Sequence, residues 1–194
     1  MKENQRITVT KRMLKEGLVR LLQTKELDQI KVTELCQESG VNRATFYRHY
    51  ETPKDVLAEL NLDFIRQMMP DVRHATTAAE EHAFLENAFS YLYDHRDLAK
   101  VLLRCSSGME MAKRLDDFLS DRWEQVKSAQ KIEGVDEDTA RIIRTMLGGG
   151  CFCLLRQWIL EDIPKTPQEI ATIVSGIIRL PIRNPMEPST DPAD

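Results

Sequence analysis

The chain has 194 residues, of which 42% are hydrophobic, 30% are charged and 6% are aromatic. This balance is that of an ordinary globular protein, and the length allows one helical domain or a small module joined to a larger one. The polar, charged N-terminus does not predict a signal peptide, and no apolar run is long enough to span a bilayer. Cys151 and Cys153 have the wrong spacing for a zinc knuckle or a C-x-x-C pair. We therefore expect a cytoplasmic protein with reduced thiols and without a bound metal or cofactor.

The net charge of −4 does not by itself suggest a nucleic-acid-binding protein, but the charge is unevenly distributed. Residues 1–60 carry 11 basic and 9 acidic residues, whereas residues 61–194 carry 16 and 22. This small N-terminal excess is weak evidence alone. It gains weight only if a DNA-binding motif lies in the same part of the chain.

Apolar residues recur at helical spacing along nearly the whole chain, and strand signals are almost absent. We therefore predict an all-α protein with nine helices. Their approximate ranges are 8–24, 33–40, 42–50, 52–69, 79–94, 98–105, 109–130 and 136–161, and the ninth begins after Thr166.

The same pattern predicts the domain organisation. Residues 1–53 form a small three-helix head, and the helix over 52–69 connects it to a helical body of residues 70–180. Residues 181–194 are rich in proline and acidic residues and are predicted to be a disordered tail.

Capping residues mark the helix boundaries in the head. Thr33 and Asn42 are suitable N-caps for the second and third helices, and Gly40 can end the second helix in the left-handed conformation. Thr52, followed by Pro53 and then by an acidic residue at the third helical position, predicts a capped start for the fourth helix.

The segment from Thr33 to Tyr50 places two short helices around a turn that contains glycine, which is the layout of a helix-turn-helix. In the second of these helices, Phe46 and Tyr50 are four residues apart and can enter the core together. The other faces carry side chains that donate hydrogen bonds to phosphates and base edges. An ordinary helical hairpin with a polar outer face is the alternative interpretation of this pattern.

The stretch from Ile7 to Leu60 resembles the DNA-binding domain of the TetR (tetracycline-repressor-like) family. The resemblance depends mainly on Gly40-Val41-Asn42 and on the aromatic-rich segment Thr45-Phe46-Tyr47-Arg48-His49-Tyr50. It implies that the third helix enters the major groove of double-stranded DNA. The DNA contacts that it implies are Thr33, Arg43, Ala44, Thr45, Tyr47, Arg48, His49 and Lys54.

One position departs from that family. Its members usually have lysine at the first position of the fourth helix, where this chain has Pro53. Lys54 follows one residue later, about 100° around the helix. Whether Lys54 replaces the usual phosphate contact is left open by the sequence.

The segment Gly148–Ile159 and the following Thr166–Ile170 resemble one C-terminal class of the family, which includes regulators similar to the dihydroxyacetone-kinase activator. The resemblance implies a homodimer in which the last two helices pair with their copies. The interface residues that we assign on this basis are Leu154, Leu155, Trp158, Ile170, Val174 and Ile177.

The eighth helix is apolar on more than one face, and each glycine at 148–150 costs about 1 kcal/mol relative to alanine. We favour close packing as the reason for these glycines, over a kink or ligand space.

The family also implies a small apolar effector held in the body. The side chains that could line its pocket are Tyr91, Met109, Trp123, Phe152 and Trp158, although each could instead be an ordinary core residue.

We therefore expect a ligand-responsive repressor that acts as a homodimer on a near-palindromic operator. The alternatives are an activator controlled by a protein partner and a helical adaptor for proteins. No enzyme motif is present, so we expect no catalytic activity.

Overall fold

The structure is a computed structural model that describes residues 2–69, 77–105 and 136–178. Over these ranges the chain is helical, which confirms the all-α prediction. The helices are α1 Lys2–Leu22, α2 Val32–Ser39, α3 Arg43–Tyr47, α4 Pro53–Met68, α5 Ala78–Asp94, α6 Arg96–Cys105, α7 Glu137–Leu160 and α8 Pro167–Ile178, with a 3₁₀ turn at Leu27–Gln29. The predicted helix over 109–130 and the predicted tail lie outside the described residues. None of the helices described is long and apolar enough to cross a membrane.

The helices α1 to α4, together with α6, form one compact unit. In it, α1 packs against α2, α4 and α6. The largest fully buried side chains are Phe46, Leu14, Leu18, Leu35 and Val56. The helices α1 and α2 approach closely at Gly17, where an added Cβ atom would lie 3.0 Å from Ser39 Cβ. This core fixes the positions of the two short helices α2 and α3.

Several predicted helix boundaries in this unit are confirmed. Gly40 ends α2 in the left-handed conformation, with φ of 68°. Asn42 caps α3, since its Oδ1 accepts a hydrogen bond from the Thr45 N–H at 2.8 Å. At the start of α4, the Asp55 carboxylate accepts a hydrogen bond from the Thr52 N–H at 2.7 Å. The hydrogen bonds that Asp55 accepts from Thr52 and from the Glu51 N–H lower its pKa.

Other boundaries differ from the prediction. The helix α1 begins at Lys2, six residues earlier than its apolar pattern indicates. The N-cap of α2 is Lys31 and not Thr33, because the Leu35 N–H already bonds to the Lys31 carbonyl at 3.0 Å. The helix α3 ends at Tyr47, although the Tyr50 N–H still bonds to the Phe46 carbonyl at 3.0 Å. The segment between α3 and α4 therefore begins with a hydrogen-bonded turn.

The second unit contains α5, α7 and α8. The helix α5 packs against α8, and the buried side chains of these two helices include Phe89, Leu92, Ile170 and Val174. The turn between α7 and α8 is held by Trp158, whose indole N–H donates a hydrogen bond to the Lys165 carbonyl at 2.9 Å.

Candidate nucleic-acid interface

The turn between α2 and α3 has the geometry of a helix-turn-helix. The Val41 N–H bonds to the Cys36 carbonyl at 3.0 Å, directly after the left-handed Gly40. The Val41 side chain is 8% exposed and so lies in the core between the two helices. The polypeptide thus reverses direction within three residues, and the capped N-terminus of α3 follows immediately.

The helix α3 has a buried face and an exposed face. Phe46 is completely buried, and Tyr50, with 6% exposure, packs against it with the ring centroids 6.0 Å apart. Tyr47 lies on the other side, 53% exposed, with its ring edge-on to Phe46. The ring of Tyr47 therefore contacts the core while about half of the residue stays exposed, which suits a contact to a phosphate or a base.

The predicted DNA-contacting residues all lie in the unit that contains α1 to α4. They are found on α2, on α3 and just after it, and at the start of α4. Six of them are exposed, and these are Thr33, Arg43, Ala44, Tyr47, Arg48 and Lys54. Thr45 and His49 are half-buried. Thr33 lies in the first turn of α2, which carries the positive end of the helix dipole. No side chain caps this end of α2, so its first backbone N–H groups face outward and are suited to a phosphate.

The basic residues between positions 7 and 69 fall into two groups, those that lie near a carboxylate and those that do not. Within residues 7–69, seven basic side chains lie within 4 Å of a carboxylate, and these are Lys11, Arg12, Lys15, Arg20, Lys25, Lys54 and Arg66. In the same range, Lys31, Arg43 and Arg48 have no carboxylate partner. All three lie at α2 or α3. In this part of the chain, the basic side chains without a carboxylate partner are therefore found at the helix-turn-helix.

Lys31 was not among the residues predicted from the sequence to contact DNA. It precedes α2 as the N-cap and is exposed, next to the outward-facing N–H groups of the first turn. The signal was present in the sequence as a basic residue at the entrance to the second helix, but the choice of Thr33 as N-cap placed that entrance two residues too late.

Lys54 is engaged in an ion pair. Its Nζ lies 2.7 Å from Asp28 Oδ1 on the 3₁₀ turn, and both side chains are largely exposed. The hydrogen bond and the charge of Asp28 raise the pKa of Lys54. Solvent screens an exposed pair of this kind strongly, so a phosphate can compete with Asp28 for Lys54.

Five side chains behind α3 form a connected group, which we call the Glu59 cluster: Lys11, Lys15, Tyr50, Glu59 and Asp63. The Glu59 carboxylate accepts hydrogen bonds from Lys11 and Lys15 at 2.8 Å each and from the Tyr50 hydroxyl at 3.0 Å. Lys15 also donates to Asp63 at 2.5 Å. Partial burial would raise the pKa of Glu59, but the hydrogen bonds from the two lysines and the tyrosine lower it to about 2.

The predicted effector-pocket residues are only partly described. Phe152 and Trp158 are buried, with 5% and 2% exposure, and Tyr91 is half-buried. Met109 and Trp123 lie outside the described residues. Trp158 stacks on Tyr93 with the ring centroids 5.8 Å apart and meets Phe89 edge-on at 6.1 Å. The structure therefore places Trp158 in the core of the second unit, where neighbouring rings occupy its surroundings.

The predicted interface residues of the last two helices differ in exposure. Four of them are buried inside the protomer, and these are Leu155, Trp158, Ile170 and Val174. Leu154 is half-buried, and Ile177 is 54% exposed. The sequence analysis did not select Ile142, Met146 or Ile173, which are large apolar side chains exposed on α7 and α8. Periodicity alone did not distinguish the inward face of α7 from its outward face.

Within the described residues no group of His, Cys, Asp or Glu side chains is arranged to hold a metal ion. Three of the four cysteines have a raised thiol pKa through burial, and that of Cys151 reaches about 11. A raised pKa keeps these thiols protonated near neutral pH.

Comparison with known proteins agrees with this architecture. Residues 80–180 match the family model TetR_C_8, described as the C-terminal region of a transcriptional regulator. The match covers more than half of the chain, and the chain therefore belongs to this family of TetR-type transcriptional regulators. A comparison with curated protein sequences gives no match.

Two solved structures have a similar fold. A TetR transcriptional regulator from Streptococcus agalactiae 2603V is 20% identical, with a TM-score of 0.65 over 92% of this chain and 98% of that one. The dihydroxyacetone kinase operon activator DhaS is 13% identical, with a TM-score of 0.58 over 87% of this chain and 93% of that one. At these identities the likeness shows the fold alone.

Proposed function

We propose that the protein is a homodimer that binds a near-palindromic DNA operator through α2 and α3, and that it represses transcription until a small apolar effector releases it. The observation that carries the DNA-binding part is the distribution of ion pairs. Within residues 7–69, Lys31, Arg43 and Arg48 are the basic side chains without a carboxylate partner, and all three lie at α2 or α3. Such side chains can bind phosphates without first breaking an ion pair within the protein.

The test is the salt dependence of binding to a duplex recovered from a random-sequence library with the unmodified protein. Replacing Lys31, Arg43 and Arg48 together by alanine should flatten the plot of log K against log salt by about 0.9 for each lost phosphate contact. The matched control replaces Arg12, Arg20 and Lys25, which removes the same charge from residues already paired. An equal effect of both triple variants would contradict the assignment of the interface.

Support for the homodimer comes from the outward faces of α7 and α8. Ile142 and Met146 are 67% and 66% exposed on α7, and Ile173 and Ile177 are 44% and 54% exposed on α8. An added Cβ atom at Gly149 or Gly150 would have no neighbour within 4 Å. Among the described residues, no side chain or backbone of the protomer packs closely at these two glycines, and a second copy would supply that packing. A two-fold axis would set the two α3 helices about 34 Å apart, one turn of DNA.

The dimer is tested by Met146→Glu, which places a charge in the middle of this apolar surface. Sedimentation should show the monomer for this variant and the dimer for the unmodified protein. Arg141→Glu is the control, because it changes a charge on the same helix about 100° away from Ile142. A Met146→Glu variant that remains fully dimeric would contradict the proposed interface.

A second candidate function is activation under the control of a protein partner. It is supported by the fold shared with DhaS, whose name describes an operon activator. A reporter gene placed behind the selected duplex distinguishes the two functions. Removal of the regulator raises expression if the protein represses and lowers expression if it activates.

A further inference from the structure

The Glu59 cluster joins three parts of the head that are distant in sequence. Glu59 lies on α4, Lys11 and Lys15 lie on α1, and Tyr50 lies just after α3. The cluster is partly shielded from solvent, since the side chains of Lys15 and Glu59 are 13% and 29% exposed. Hydrogen bonds to charged groups in such surroundings are stronger than those at a fully exposed surface.

We infer that Glu59 is a positioning residue for DNA recognition: by holding the Tyr50 hydroxyl, it fixes the direction in which α3 presents Arg43 and Tyr47 to the DNA. This inference rests on the proposed function, because it concerns the same DNA-binding surface. The residue that Glu59 holds is Tyr50, which is buried and does not itself lie on the exposed face of α3.

The helix α3 is only five residues long. A helix of five residues is too short to be oriented by its own hydrogen bonds, so its direction depends on its contacts with the core. Phe46 provides one contact, as it is completely buried. Tyr50, four residues later, provides the second. Two contacts one turn apart fix the axis of a short helix, whereas one contact leaves it free to pivot.

Tyr50 is held at two places. Lys11 Nζ lies over its ring, 5.4 Å from the centroid, and the hydroxyl donates to Glu59 at 3.0 Å. Lys11 itself donates to Glu59 at 2.8 Å, so both contacts depend on the same carboxylate. A change at Glu59 therefore alters the hydroxyl contact and the ring contact together.

Two substitutions separate positioning from general stability. Tyr50→Phe keeps the buried ring and the lysine–carboxylate pairs, and it removes only the hydroxyl that reaches Glu59. Glu59→Gln keeps the shape but replaces the carboxylate, which accepts three hydrogen bonds, by an amide with a single acceptor oxygen. The matched control is Asp63→Asn, because Asp63 belongs to the same cluster but binds Lys15 and Arg66.

The experiment uses the full-length protein and two duplexes of equal length, one recovered from a random-sequence library with the unmodified protein and one unrelated to it. The quantity measured is the ratio of the two affinities, together with the urea midpoint of unfolding. Tyr50→Phe should lower the ratio about 10-fold, the effect of losing one charge-assisted hydrogen bond, and Glu59→Gln should lower it at least as much. Asp63→Asn should leave the ratio unchanged.

The affinity ratio is informative because a loss of stability alone reduces both affinities equally. An unchanged ratio for Tyr50→Phe overturns the inference. It is also overturned if Asp63→Asn lowers the ratio as much as Tyr50→Phe does, because the cluster would then act through its charge and not through Tyr50. If the unmodified protein selects no duplex at all, the proposed function itself fails, which is a different result from either of these.

Discussion

Lys54 Nζ lies 2.7 Å from Asp28 Oδ1. This ion pair joins the start of α4 to the 3₁₀ turn that precedes α2. In the family that the chain resembles, a lysine one residue earlier usually contacts a phosphate, and Pro53 occupies that place here. The nearest basic side chain is thus held by an acid of the same chain. Exposed pairs are readily exchanged, so in the proposed complex a DNA phosphate would compete with Asp28 for Lys54.

Replacing Asp28 by asparagine should therefore strengthen DNA binding. The substitution frees Lys54 and removes a negative charge near the DNA, so we expect affinity to rise a few-fold and the salt dependence to steepen by about 0.9 if one phosphate contact is gained. The measurement is a titration of the selected duplex over a range of salt concentrations. In the Lys54→Ala background the same change should leave the slope unaltered, and an equal steepening there would show that Lys54 is not the side chain released.

Replacing Gly17 by alanine should destabilise the protein. The new Cβ atom would lie 3.0 Å from Ser39 Cβ and 3.2 Å from Ser39 Cα and N, and the backbone atoms can move only if α1 and α2 separate. Overpacking of this kind costs about 1–3 kcal/mol, and the better helix propensity of alanine offsets about 1 kcal/mol of it. Urea unfolding should show a net loss of about 1 kcal/mol. The control is Glu16→Ala at an exposed neighbouring position, and a Gly17→Ala variant more stable than this control would contradict the close packing.

The ionisation of Glu59 should make stability depend on pH. Its pKa is lowered to about 2, below the value of about 4.3 for an unperturbed glutamate, so the ionised carboxylate favours the folded state. This stabilisation is fully present above the unfolded pKa and is lost as the pH falls through the folded one. Allowing for solvent screening, we expect Glu59→Gln to cost about 2 kcal/mol at pH 7 and progressively less between pH 4.3 and pH 2. The measurement is urea unfolding at several pH values, and a cost that stays constant down to pH 2 would contradict the role given to the carboxylate.

Replacing Trp158 by phenylalanine tests the turn between α7 and α8. The substitution removes the indole N–H that donates to the Lys165 carbonyl at 2.9 Å and leaves a gap where the larger ring packed against Tyr93 and Phe89. We expect a loss of about 2 kcal/mol in the free energy of unfolding, from the hydrogen bond and the gap together. Gln168→Ala, at an exposed position of α8, should change it by less than about 0.5 kcal/mol. Equal stability of the two variants would show that Trp158 is not part of the core.

The features of the head that the sequence predicts correctly depend on interactions within four residues. The Asn42 cap, the left-handed Gly40 and the start of α4 at Pro53 are of this kind, because a cap joins a side chain to a backbone group one turn away. The wrong N-cap at Thr33 has a related cause. Thr33 is a good capping residue, but the core fixes α2 so that its first turn begins at Val32, and tertiary packing overrides the local preference.

The remaining features depend on contacts between distant residues. Glu59 lies 44 and 48 positions from Lys15 and Lys11, so nothing local in the sequence indicates that the three side chains meet. The same limit applies to Lys31. It is recognised as a candidate phosphate contact only once the carboxylate partners of the other basic side chains are known. On α7 the apolar residues exceed what one face needs, and which of them turn outward depends on how the helix packs in its unit.

The central claim is that the exposed side of α3 reads DNA, and it is tested most directly by Arg43→Ala combined with Tyr47→Ala. Both side chains are exposed, so the double variant should keep the fold and the oligomeric state of the unmodified protein, which sedimentation can check. Each contact to a base or a phosphate contributes about 1–3 kcal/mol, so losing both should reduce the affinity for the selected duplex at least about 30-fold in a gel-shift titration. An affinity equal to that of the unmodified protein would contradict the claim.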